Sequence, residues 1–394
     1  MSRTARPFTA TASAGRFVLA LAALATLVVV AGCSTAGVTV ERGSGSSSPI
    51  GSPSGAIPDP AAPGWAGLLA RVPDFATTGA TSATVTMVDL RKAREHVGLD
   101  PTDVRLGGKT GDLLRLQANP LPSTWAAIEP KKWQEKLGFL PYTADRAYEI
   151  DMPGTSSLTI LEGAFDATRI TETVRGSGAL GSNPATVSHG GTTYLQAPGE
   201  ELKVSADARK TGIDHLGRPL RMHVSPTVIV VATTDAGMRA AIDARAGIGA
   251  ASSRPAAATV AKALDEVGAL AAVSSSSNES FDRGPSGSAQ GTTTVVRSGA
   301  TADSTFVGTR LDGATAGAFL VALKATPGDA EEAANNLRTL VETGEALATG
   351  QPWREQLTPI AIDTDGPLVR ATFNAKIPNV LVQSMFKRES ITDL

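Results

Sequence analysis

Along the chain, short runs of β-branched and apolar residues repeatedly give way to segments with helical spacing, and an aspartate stands at the change. Residues 84–88 meet Asp89 and LRKAREHVG; 157–161 lead to Asp166 and ATRITETV; 227–232 meet Asp235 and AGMRAAIDARAG; 304–308 lead to Asp312 and GATAGAFLVAL. Runs of this length rich in Val, Ile and Thr predict strands. A carboxylate ahead of a helical segment accepts hydrogen bonds from the free amides of its first turn and complements the helix dipole, so each of these acids is expected to be an N-cap.

Two further stretches predict hairpins: 104–106 and 112–116 around GGKTG, and 358–362 and 367–373 around DTDG. Residues 130–138, PKKWQEKLG, predict a short helix with Pro130 at its first position, Gly138 just past its end, and Trp133 and Leu137 on one face. Trp125 and Trp133 are expected in the core. A longer helix is expected over 330–348 and a short one near the C-terminus. Residues 246–259, AGIGAASSRPAAAT, read as a separator, and 274–291, SSSSNESFDRGPSGSAQG, as a long loop. Strands that alternate with helices yet also pair as hairpins predict an α+β fold of mixed or antiparallel sheets, with helices packed on one face. Two related halves are expected, 64–247 and 258–394, joined by a linker at 248–257.

One apolar run has neither period. Residues 17–30 are fourteen uncharged, mostly apolar residues, preceded by Arg3, Arg6 and Arg16, with no acid before Glu41. That is the build of an export signal, shorter than the ~20 residues of a bilayer-spanning helix. Arg3 and Arg6 are not adjacent, which favours Sec export over the twin-arginine route. Residues 27–33, LVVVAGC, resemble the lipobox of bacterial lipoproteins, with the small residues Ala31 and Gly32 before Cys33 and Val30 where that family more often has Leu. In that family the cysteine thiol is diacylated and becomes the mature N-terminus. The resemblance implies a signal peptide over 1–32, lipid attachment at Cys33 and a position at the outer face of the plasma membrane. It covers the N-terminal segment alone.

Cys33 is the single cysteine of the chain, so it has no partner for an internal disulfide. Acyl burial contributes ~0.8 kcal/mol per CH₂, and two chains hold where one is marginal. Residues 33–63, rich in Ser, Gly, Pro and Ala, then read as a flexible tether with a reach on the order of 30 Å.

Composition adds bounds. Hydrophobic residues at 42 % and charged residues at 19 % suit a globular core. The chain has 36 basic and 38 acidic residues; loss of the three signal arginines leaves 33 against 38, with no like-charge run, which excludes a nucleic-acid surface. Aromatics at 4 % disfavour a sugar cleft of stacked rings. Arginine outnumbers lysine 25 to 11, which points to a GC-rich, actinobacterial genome.

Several strings suggest chemistry and fail on context. Gly176, Gly178 and Gly181 match GxGxxG but follow a predicted helix, where glycines serve as C-cap and loop. Gly108-Lys109-Thr110 ends like a phosphate loop, but Asp103 stands where its first glycine belongs. Ser384/Lys387, Ser276/Asn278 and Lys109-Thr110-Gly111 reproduce the SxxK, SxN and KTG strings of penicillin-binding proteins in inverted order. His96, His189, His215 and His223 are scattered, with no metal-ligand spacing; only Asp214-His215 with His223 suggests a ligand set, and a solvated loop histidine fits it better. Asp363-Thr-Asp365-Gly366 has its glycine at the fourth position, not the sixth of a calcium loop. No catalytic, cofactor or metal residue is assigned. The expected role is a non-catalytic binding or assembly module of the envelope, with an envelope protein, wall polymer or lipid as partner. Two other classes are a solute- or lipid-binding lipoprotein of a transporter, with two lobes around a cleft, and an envelope hydrolase whose groups meet only in three dimensions.

Overall fold

From residue 82 onward the apolar runs pair, one after another, into strands of a single sheet. The computed structural model describes residues 64–74, 82–100, 109–116, 130–152, 156–200, 213–214, 217–254, 256–277, 304–346, 350–386 and 391. In chain order the elements are α1 (Gly64–Leu69), β1 (Ser82–Asp89), α2 (Leu90–Val97), α3 (Lys109–Arg115), α4 (Pro130–Leu137), β2 (Arg146–Met152), β3 (Ser156–Glu162), α5 (Ala167–Ser177), β4 (Ala185–His189), β5 (Thr192–Gln196), β6 (Arg221–Val224) and β7 (Val228–Ala232). There follow α6 (Asp235–Arg245), α7 (Ala257–Glu266), β8 (Ala269–Ser277), β9 (Ser304–Asp312), β10 (Thr315–Leu323), α8 (Pro327–Thr343), β11 (Glu345–Ala346), β12 (Gln351–Pro352), α9 (Trp353–Gln356), β13 (Leu357–Asp365), β14 (Leu368–Ala375) and α10 (Val380–Phe386).

The fold is α+β. Among the described residues twelve strands form one sheet in the order β13-β14-β10-β9-β8-β1-β2-β3-β7-β6-β5-β4, and every neighbouring pair is antiparallel. At its centre β1 pairs with β8 from Ser82↔Ser277 to Val88↔Ala271. Outward from that pair the order reads alike in both directions, β1-β2-β3-β7-β6 and β8-β9-β10-β14-β13, with the β4–β5 hairpin added beyond β6. Residues 248–257, expected as a linker, contain a bridge from Ala250 to Pro73 and a 3-10 turn, Ala251–Ser253. The strands before and after them share the sheet, and all the described residues fall in one compact unit.

Helices cover both faces of the sheet, not the one expected. The cause lies in the inner strands: β7 is buried along its whole length and β10 over six consecutive residues, so both faces need apolar cover. On one face Val88, Leu161 and Ile229 pack with Leu113, Trp133 and Ile170 of α3–α5, and farther along Leu320 and Phe373 pack with Leu337 of α8 and Leu381 of α10. On the other, Met87, Tyr148 and Val230 meet Leu68 of α1, Met238 and Ile242 of α6 and Leu264 of α7. Each such buried side chain contributes ~1.5–3 kcal/mol.

Asp89 and Asp166 cap α2 and α5 as expected, accepting from the amides of Lys92 (2.9 Å) and Arg169 (3.0 Å). The other two aspartates differ. Thr234 caps α6 through the Gly237 N–H, and Asp235, inside the first turn, instead pairs with Arg221. Asp312 ends β9, and Gly313 (φ +57°) turns the chain back into β10, so GATAGAFLVAL is a strand and not a helix. A continuous apolar run does not distinguish the two by period.

Lys109–Arg115 is a helix where a hairpin arm was expected, because Leu113 and Leu116, three apart, are both buried; 104–106 and Trp125 lie outside the described residues. The loop expected from 274 begins later, since β8 continues through Ser277 along the available edge of β1; 278–291 lie outside the described residues. The hairpin around Gly366 (φ +57°), the helix over 130–137 with Trp133 and Leu137 buried, and the short C-terminal helix form as expected. The long helix starts earlier, at Pro327, where Thr326 and Asp329 form a capping box. No helix among the described residues is long and apolar enough to cross a membrane.

Candidate functional site

The densest group of chemistry-bearing side chains lies where the C-terminal half of α6 meets β4, β5 and β6. The β4–β5 hairpin turns at Gly190 and Gly191, whose φ values of +54° and +79° suit a two-residue turn of the primed type. Pairing and alternation then set Val187, His189 and Tyr194 on the α6 face, beside His223 of β6. His189 donates from Nε2 to Asp243 Oδ1 at 2.8 Å, and His223 donates from Nδ1 to the Thr193 carbonyl at 2.8 Å. Burial lowers the His223 pKa below the ordinary imidazole value, the Thr193 bond opposes this, and the nearby Arg245 charge lowers it further.

Arg245 extends the group toward Glu162, the last residue of β3. Glu162 receives Arg71 through both carboxylate oxygens (2.7 and 2.9 Å) and Arg245 at 3.2 Å. Tyr194 is the exception to this pairing. It is 2 % exposed, and its hydroxyl is buried with no hydrogen-bond partner among the described residues.

Near the start of α6 and of β6 lie two ion pairs, one buried on both sides and one in which Asp235 is 32 % exposed. Arg218 holds Asp214 at 2.8 Å, both nearly inaccessible, and approaches Ser157 Oγ at 3.5 Å. Arg221, 1 % exposed, reaches Asp235 at 2.8 Å and the carbonyls of Pro219 and Thr233 at 3.1 Å. Burial raises the pKa of neighbouring Asp151, with Arg218 opposing. A shallow notch at the start of α1 is lined by Trp65, Asp89, Lys92, Arg146 and Asp265. There Asp265 accepts the Trp65 N–H at 3.3 Å, and burial raises its pKa against that bond and the charges of Lys92 and Arg146.

A histidine held by a carboxylate has its tautomer fixed, which is what a general base needs. Among the described residues, however, neither His189 nor His223 bonds a hydroxyl. No group of three or more His, Cys, Asp or Glu among them is arranged to hold a metal ion. His96 lies in the last turn of α2; His215, Lys387, Asn278 and Cys33 lie outside the described residues. Ser384 is buried and donates to the Val380 carbonyl within α10, and Lys109-Thr110-Gly111 opens α3, so the penicillin-binding strings are not assembled by what is described. Gly178 is the left-handed C-cap of α5, as its context predicted. Asp363 pairs with Arg370, and Asp365 flanks the hairpin turn. The proximity of Tyr194 to His223 was hidden in the sequence: alternation in 192–196 and 221–224 marks both as same-face positions, but which strand lies beside which across the intervening residues is not written locally.

No family model and no curated protein matches the chain. A solved structure titled "Structure of crystal form I of TP0453" aligns over 81 % of this chain and 98 % of its own, at 10 % identity and a TM-score of 0.39. A likeness at that level carries no argument.

Proposed function

We propose that the protein is a lipid-anchored, extracytoplasmic binding or assembly module, held at the outer face of the plasma membrane through acyl chains on Cys33. The observation that carries this reading is the placement of the chain's single cysteine directly after Ala31-Gly32 and the apolar run over 17–30. Residues 33–63 would hold the folded body away from the lipid, within reach of an envelope protein, wall polymer or lipid. The described charged groups support binding more than catalysis, because Glu162, Asp214 and Asp235 are each bonded to arginine.

Replacing Cys33 with Ser should move the protein out of the membrane fraction, or leave it as uncleaved precursor, and abolish labelling by a palmitate analogue. A stoichiometric partner or lipid should co-purify with the wild-type protein from membranes. Wild-type protein that stays in the membrane fraction without taking up the palmitate analogue would overturn the anchor. Turnover of an envelope substrate by the purified protein, lost on changing one buried polar residue, would overturn the non-catalytic role.

A further inference from the structure

Among the described residues the sheet has an edge strand at each end, β13 and β4, and the chain treats them differently. At β13, Pro359 lacks an N–H, the ladder is irregular between Pro359 and Ala361, Asp363 and Asp365 put charge on the strand, and Arg338 donates to the Ile362 carbonyl. At the other end β4 has none of these devices. Its sequence, ATVSH, holds no proline, lysine, arginine or acid, and its register with β5 is unbroken from Ala185↔Gln196 to His189↔Thr192. A strand of 5 residues is a short edge, which limits pairing between whole sheets but not the capture of a peptide of like length.

The phase of the hairpin determines which groups β4 offers. In a hairpin closed by two residues, here Gly190 and Gly191, the flanking pair His189 and Thr192 exchange backbone bonds and the next pair does not. Ser188 and Thr186 therefore turn their N–H and C=O away from β5. The Thr193 carbonyl has the matching phase, since it points to β6, where it accepts from His223. Thr186 and Ser188 are exposed, and among the described residues nothing bonds their outward backbone groups.

Side chains on the two faces add selectivity. On the α5 face Thr186 accepts from Arg175 at 2.8 Å, and this exposed guanidinium has no carboxylate partner among the described residues. On the α6 face Val187 is half-buried against the core that contains Ile242. Successive side chains of an added strand would lie beside Val187 and beside Arg175 in turn.

We propose that β4 is a strand-addition edge that binds an extended peptide segment of an envelope protein, apolar on the α6 face and carrying a carboxylate on the α5 face beside Arg175. This names the partner chemistry of the binding role proposed above and rests on that role. A second copy of the chain fits less well. Pairing β4 with β4 across a two-fold axis brings both Arg175 side chains onto one face, where like charges oppose each other.

The probe is a synthetic peptide of about nine residues in which Val and Glu alternate, titrated into the full chain and followed by fluorescence anisotropy and amide hydrogen exchange. It should bind saturably and slow exchange at Thr186 and Ser188, with no change at β13. Ser188→Pro removes an outward N–H, leaves the β4–β5 ladder whole, and should weaken binding about tenfold. Arg175→Gln should weaken binding of this peptide about threefold and leave unchanged that of a peptide with Gln in place of Glu. If Ser188→Pro loses protection along β5, so that the hairpin has not formed, the difference between the two peptides on Arg175→Gln decides. Binding that survives Ser188→Pro with the hairpin formed overturns the proposal, as does protection confined to other strands, an Arg175→Gln effect equal for both peptides, or a wild-type dimer that Ser188→Pro dissociates. Failure of the peptide to bind also overturns it, and the binding role then stands if a stoichiometric envelope partner still co-purifies.

Discussion

Glu162 shows how a single buried carboxylate fastens three elements. It ends β3, its side chain is 13 % exposed, and it receives Arg71 from the segment after α1 and Arg245 from the end of α6. Burial alone would raise its pKa, but the bonds and charges of the two arginines outweigh that and hold it below the usual carboxylate range. A depressed folded-state pKa means the stabilisation is present above the ordinary value of 4.5 and is lost as pH falls below it. Glu162→Gln should therefore lower stability at neutral pH by about 3 kcal/mol, since it leaves two guanidinium groups facing a neutral amide. Urea unfolding near neutral and acid pH checks this: the difference between wild type and variant should shrink below about pH 4. An equal difference at both pH values would contradict the assignment.

At the scale of elements, the outer strand β13 poses a hazard that the chain manages locally. It is nine residues long and mostly exposed, with Ile360 half exposed, and such an edge can template pairing with another chain. Pro359 has no N–H to offer, the ladder is irregular between Pro359 and Ala361, and Arg338 of α8 donates to the Ile362 carbonyl. Restoring the edge with Pro359→Val and Arg338→Ala together should yield larger species than the wild type in light scattering at equal concentration. Identical profiles would mean that these devices do not protect the edge.

What was legible in the sequence divides along the same lines. Turn chemistry and side-chain capping are local, so the hairpin at Gly366, the caps Asp89 and Asp166 and the helix ending at Gly138 could be read directly. The strand β10 could not, because burial on both faces erases the alternation that marks a strand. Nor could the helix at 109–115, whose GGKTG prelude resembles a turn, or the extension of β8 into serines, which depends on β1 lying beside it. The His189, Tyr194 and His223 group depended on strand order, and strand order is set by packing of the whole sheet.

For the whole molecule, the central fact is a sheet that runs without a break through the β1–β8 pair, with α1 and α7 packed together on one face. Arg254 also pairs with Asp74, and the Ala251 N–H donates to the Val72 carbonyl, so 248–257 is itself fastened to the segment after α1. Cutting the folded protein at a protease site inserted there should leave two pieces that co-elute on gel filtration. Pieces that separate without denaturant would contradict the continuity of the sheet.

The proposed role places this body on a tether whose lipid end is Cys33, and that assignment is tested most directly by the mass of the N-terminal peptide from protein extracted out of membranes with detergent. The peptide should begin at Cys33 and carry a diacylglyceryl group on its sulfur. A peptide that begins elsewhere, or one that begins at Cys33 with an unmodified thiol, would contradict lipid anchoring.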